Sequence, residues 1–153
     1  MLLVATTSSL VAGCDSFGWE RTAVDGYWKG QMVEETITDR TATTSRWANE
    51  RPRRILLRLE ESGGIVQGRF ARSSDAIAFR QIDNEGSRRL STYAVTGTLD
   101  GSRFRIRFSA EAGRTYQVDA VAGGRVIAGN YVSQFSTNGV EETRSGRFEI
   151  ERY

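Results

Sequence analysis

A five-residue pattern returns along this chain: a large apolar residue, a polar or small one, glycine, a polar one, then a second large apolar residue. It reads Val66-Gln67-Gly68-Arg69-Phe70, Val95-Thr96-Gly97-Thr98-Leu99 and Ile127-Ala128-Gly129-Asn130-Tyr131. Trp28-Lys29-Gly30-Gln31-Met32 is a looser first copy. Alternation of period two marks a β-strand with one buried face. In every copy the glycine falls on that buried face, removing a side chain where a strand must bend sharply. Four such strands predict a sheet that curls on itself.

The rest of the chain fits the same scheme. A first strand is expected from about Tyr27 to Ile37. A long polar stretch, Thr38 to Pro52, follows and carries one aromatic residue, Trp47. A loop of that length inside one domain is often functional. Further strands are expected over Arg53–Glu61, Ile65–Arg72, Ala76–Ile82, Arg89–Leu99, Ser102–Ala110, Arg114–Ala122, Arg125–Phe135 and Thr143–Arg152. Ser62-Gly63-Gly64, Asp100-Gly101, Gly123-Gly124 and Asn138-Gly139 supply the turns between them. Eight or nine short strands in sequential hairpins make a meander. The fold class is therefore all-β, an antiparallel up-and-down β-barrel of about eight strands, because closure removes both sheet edges. A two-sheet sandwich has the same period and stays open as the alternative.

Composition narrows the chemistry. There is no histidine, which removes the commonest general base and metal ligand. The one cysteine, Cys14, excludes an internal disulfide and a thiolate metal cluster. A net charge of +2 gives no argument for nucleic acid. No phosphate-cradling glycine loop precedes a helix, and no paired carboxylates can be placed across a cleft. The chain is expected to be non-catalytic, to need no cofactor and no metal, and to work as a monomer.

Residues 1–13, MLLVATTSSLVAG, are apolar and small, without a charge. They fit the apolar core of a secretory signal and are too short to span a bilayer. Leu10-Val11-Ala12-Gly13-Cys14 resembles the lipobox of bacterial lipoproteins, in which the cysteine is acylated and becomes the first residue of the mature chain. The resemblance implies a signal peptide over 1–13, a lipidated Cys14 with a tether over 14–25, and a folded domain over 26–153. It also implies a bacterial envelope address, on the periplasmic side of the inner or outer membrane, with membrane lipid as a partner.

Gly26-Tyr27-Trp28 resembles the G-x-W motif that opens the barrels of the calycins, the lipocalins, avidins and fatty-acid-binding proteins. In that family the tryptophan plugs the closed end and an arginine near the last strand lies across its ring. The resemblance implies that role for Trp28, with Arg147, or else Arg152, as the arginine.

With Trp28 inward, parity assigns the lining: Trp28, Met32, Ile55, Leu57, Leu59, Val66, Phe70, Val95, Phe104, Ile106, Phe108, Tyr116, Val118, Ile127, Tyr131, Phe148 and Ile150. The same parity turns Glu34 inward, where a carboxylate is costly unless it is paired or near an opening. Glu34, Trp47, Phe70, Tyr116 and Tyr131 are the candidate ligand-binding residues. Glu34 meets either a ligand's polar end or an inward arginine. Trp47 either covers a ligand or packs on the rim. Arg54, Arg58, Arg103, Arg105 and Arg107 face outward and form a basic stripe if their two strands are neighbours. Two functions follow from these residues. One is a barrel binding a small apolar ligand or lipid in its mouth. The other is a filled barrel serving as a protein-interaction or envelope-structural module.

Overall fold

The computed structural model describes residues 24–39, 45–47, 52–72, 91–110 and 113–153. Nine strands run in chain order: β1 (Gly26–Asp39), β2 (Ser45–Trp47), β3 (Arg53–Ser62), β4 (Ile65–Arg72), β5 (Thr92–Asp100), β6 (Arg103–Ser109), β7 (Thr115–Gly123), β8 (Val126–Thr137) and β9 (Val140–Arg152). From β3 to β9 each strand pairs antiparallel with the next. β1 closes the circle, with Gly26–Met32 on β3 and Trp28–Asp39 on β9. Every strand of the ring thus has two partners, and the result is a closed eight-stranded up-and-down barrel compatible with the calycin fold. Closure excludes the sandwich.

Four hairpins close in two residues. Gly63-Gly64 and Asn138-Gly139 have positive φ at both central positions, the type I′ geometry that follows strand twist. Gly101-Ser102 and Gly124-Arg125 are the other two.

All seventeen lining residues assigned by parity are buried. The repeated glycines explain how strands carrying such large side chains can close. Gly68 lies opposite Leu59, and a Cβ there would be driven into the Arg58 carbonyl of β3. At Gly97 it would stand 2.8 Å from the Ile106 Cα of β6. Gly30 and Gly129 sit equally close to β9 and β7, and Gly146 on β9 meets the Val33 carbonyl of β1. The glycines therefore mark where one strand's backbone crosses tightly over its neighbour.

Two departures from the sequence reading concern residues 38–52. Thr38 and Asp39 continue β1, and Ser45–Trp47 form β2, paired with Thr36–Thr38. β2 occupies the edge of β1 that β3 leaves at Met32. Such a strand is held by backbone hydrogen bonds and needs no apolar alternation, so a search for buried faces misses it. The strand expected over Ala76–Ile82 lies outside the described residues. One extra residue, Glu35, also sits in β1 between the pairs Glu34–Gly146 and Thr36–Ser145. This bulge resets the alternation and brings Ile37 opposite Arg144.

Adding a methyl at Gly68 or Gly97 must displace neighbouring backbone. Gly68→Ala and Gly97→Ala are each expected to lose about 1–3 kcal/mol. Gly124→Ala, in an open turn with nothing within 4 Å, should stay within about 0.5 kcal/mol of the parent. Urea denaturation of the three variants checks the contrast.

Candidate functional site

The two ends of the barrel are built differently. At the end where the chain enters, Trp28 is fully buried and its indole Nε1 donates to the Val24 carbonyl at 2.8 Å. The Arg152 guanidinium lies 4.8 Å from the centre of the Trp28 ring and donates to the Asp25 carbonyl at 2.8 Å. Tyr153 N donates to the Tyr27 carbonyl, tying the chain just after β9 to the start of β1. The arginine on the plug is therefore Arg152, and the assignment to Arg147 is corrected. Arg152 is the register partner of Trp28 and shares the inward parity of Phe148 and Ile150. Arg147 has the opposite parity, points outward and pairs with Glu35 at 2.6 Å.

Toward the mouth the barrel carries an aromatic tier, one ring from each of five consecutive strands. Phe70 and Phe108 stack at 4.2 Å between centroids, and Phe108 and Tyr116 at 4.8 Å. Tyr93 and Tyr131 extend the row, tilted at 6.4 and 6.1 Å. Rings this close touch, so no ligand lies between Phe70, Phe108 and Tyr116.

Beyond the tier the lining becomes charged. Glu34, only 7% exposed, accepts hydrogen bonds from Arg144 Nη1 at 3.1 Å and Arg53 Nη2 at 3.4 Å. The Arg144 Nε donates to Glu142 Oε1 at 2.6 Å, and Arg114 Nη2 donates to the same oxygen at 2.5 Å. Arg114 also reaches the buried Ser133 Oγ at 3.4 Å and lies 5.1 Å over the Phe135 ring. On the far wall Arg72 donates to the Tyr116 hydroxyl at 3.1 Å. Four arginines and two glutamates, from four strands and the residue before β7, thus share the mouth among the described residues, and the arginines outnumber the acids.

The electrostatics follow from that packing. Hydrogen bonds from Arg144, then from Arg114, hold the Glu142 carboxyl below its ordinary range against the opposing effect of burial. Burial works to lower the Arg144 pKa, but bonds to Glu142 and Glu34 outweigh it and raise it. Burial, reinforced by the Glu34 charge, pushes the Tyr131 hydroxyl up to about 12. Tyr131 is therefore a neutral phenol at physiological pH.

The candidate residues divide on this geometry. Glu34 and Tyr131 belong to the mouth, and Tyr116 joins tier to mouth through Arg72. Phe70 is sealed in the stacked tier. The backbone of Trp47 stands on β2 at the same end, opposite Thr36, while its side chain lies outside the described residues. Cys14 also lies outside them. The sequence reading missed Arg53, Arg72, Arg114, Ser133, Glu142 and Arg144. Each is two, four or six residues from a recognised lining position on, or next to, its own strand. The parity that found Ile55, Phe70, Tyr116, Tyr131 and Phe148 therefore points to all six. The apolar signal ends before them, although an inward charge is acceptable beside an opposite one.

The outer basic stripe is not continuous. β4 and β5 separate β3 from β6, so Arg54 and Arg58 stand apart from Arg103, Arg105 and Arg107. Asp119 accepts from Arg103 at 3.0 Å and Arg105 at 3.2 Å, and those bonds hold its pKa down despite its exposure. Comparison with protein-family models, curated proteins and solved structures finds no match for this chain.

Two predictions follow from the ends. Arg152→Met removes a cation from a buried indole and should cost about 0.5–2 kcal/mol, whereas Arg147→Met, at an exposed pair, should cost under about 1 kcal/mol. Thermal unfolding of both decides between them. For Glu142 the folded pKa is depressed, so the unfolded state binds more protons as pH falls. Its stabilisation is present above the ordinary carboxylate pKa and is lost as pH drops through the folded value. Glu142→Gln should therefore show a shallower loss of stability below about pH 4.5 than the parent, read by urea midpoints against pH.

Proposed function

We propose that this is a non-catalytic lipoprotein of the bacterial envelope, anchored through acylated Cys14, whose barrel binds a small ligand or lipid at its mouth. The difference between the two ends carries this reading. One end is stopped with Trp28, a buried plug whose indole N–H and ring are both partnered. The other holds Glu34, Glu142, Arg53, Arg114 and Arg144, partly buried. Such ion pairs contribute less to stability than apolar filling of the same volume. A barrel needing only to be closed gains nothing from them, so their place at the mouth suits recognition of a ligand's polar end. The edges of Tyr116 and Tyr131 offer a surface for its apolar part. The ligand is then a small amphiphile, held at the rim and not threaded through the core.

A second reading, a filled barrel acting through its outer surface, is favoured by one observation. The ring contacts among Phe70, Phe108 and Tyr116 leave the aromatic tier without space for a guest. Native mass spectrometry of the protein extracted from its own membranes separates the two. A retained small molecule, lost in Glu34→Gln/Arg144→Met, is the expected outcome. A clean apo mass with a co-purifying protein would establish the second reading instead.

A further inference from the structure

We infer that the Trp28-plugged end of the barrel is a lipid-facing surface, with the charged mouth opening away from the bilayer. The inference rests on the anchor at Cys14 proposed above. Its first ground is where the chain enters. Val24 is fully buried beneath the plug, so the chain preceding it joins the barrel at this end. Only ten residue steps separate Val24 from Cys14. Fully extended, they reach about 33–36 Å. A β9 strand of 13 residues, tilted as barrel strands are, spans roughly 33 Å of wall height. Turning the mouth to the membrane would thus need a tether pulled straight along the whole wall. Placing the plugged end down needs no extension at all.

The second ground is the rim itself. Ile65 is 58% exposed, Val121 62%, Val126 44% and Tyr153 73%. Ile65 opens β4 and Val126 opens β8. Val121 lies two residues from the end of β7, and Tyr153 follows β9. These four, of the six exposed large apolar residues among the described ones, therefore belong to the plugged end: Val121, Val126 and Tyr153 on the neighbouring strands β7 to β9, and Ile65 across the barrel. Exposed apolar side chains at the end from which the tether leaves suit a membrane surface. The turns between them, Gly63-Gly64, Gly101-Ser102 and Gly124-Arg125, carry few bulky side chains to hold a bilayer off. Tyr153 and Arg125 are residue types favoured at the headgroup level.

This orientation bears on the ligand. A mouth facing away from the anchoring leaflet meets the aqueous envelope, so its ligand arrives through water or from a component opposite, not from the protein's own leaflet.

The test uses the lipidated full chain in phospholipid vesicles, where acylation blocks Cys14 and leaves any introduced thiol as the single labelling site. Ile65→Cys, Val126→Cys and Ser136→Cys, the last at the mouth end, are labelled with an environment-sensitive fluorophore. A bilayer-borne quencher is expected to quench the probes at 65 and 126 severalfold more than the probe at 136. Equal quenching at all three, or stronger quenching at 136, would overturn the orientation while leaving the anchor intact. Vesicle flotation of Cys14→Ser is the separate control. If that variant floats as the parent does, the anchor reading fails and the inference with it.

Discussion

Closure of the sheet depends on close approach between neighbouring backbones at the inward glycines. A barrel of eight strands has little interior, and seventeen large or medium side chains must share it. Gly30, Gly68, Gly97, Gly129 and Gly146 let five strands bend over their neighbours without a Cβ in the way. Their spread matters as much as their number. They lie on β1, β4, β5, β8 and β9, so the curvature is distributed around the wall. Gly146 stands opposite Glu34 at the β1–β9 seam, the pairing that turns a meander into a ring.

Once closed, the barrel has two ends with opposite energetics. The plugged end gains from burial of Trp28 and Val24, and Arg152 adds a cation over the indole while satisfying the Asp25 carbonyl. The mouth holds charges whose two carboxylates are stabilised by its arginines. Glu34 depends on Arg144 and Arg53, and Glu142 on Arg144 and Arg114. Arg144 is thus the shared member, and its loss leaves two carboxylates short of a partner. The aromatic tier stands between the two ends, with Phe70, Phe108 and Tyr116 stacked and Tyr93 and Tyr131 tilted against them.

The lengths of the strands place this mouth. β1, β8 and β9 are the longest in the barrel and run past its rim on one side. Glu142 and Arg144 come from that extension, as does Phe135, and β2 protects the edge of β1 there. The bulge at Glu35 lets β1 supply inward residues both before and after it, Glu34 and Ile37, while Glu35 itself turns out to Arg147.

The sequence by itself determined the wall. Period-two alternation with glycine on the buried face fixed which side chains point inward, and the turn residues fixed where strands reverse, because both are local consequences of backbone geometry. Tertiary structure decided what depends on neighbours brought together from afar. That Arg152 rather than Arg147 covers Trp28 follows from the β1–β9 register. That Glu34 meets Arg144 and Arg53 follows from which strands flank β1. That Arg54 and Arg58 are divided from the β6 arginines follows from the two strands between them. Parity along one strand says which face a charge occupies; only closure says which opposite charge stands beside it, and at short range that partner sets its energy.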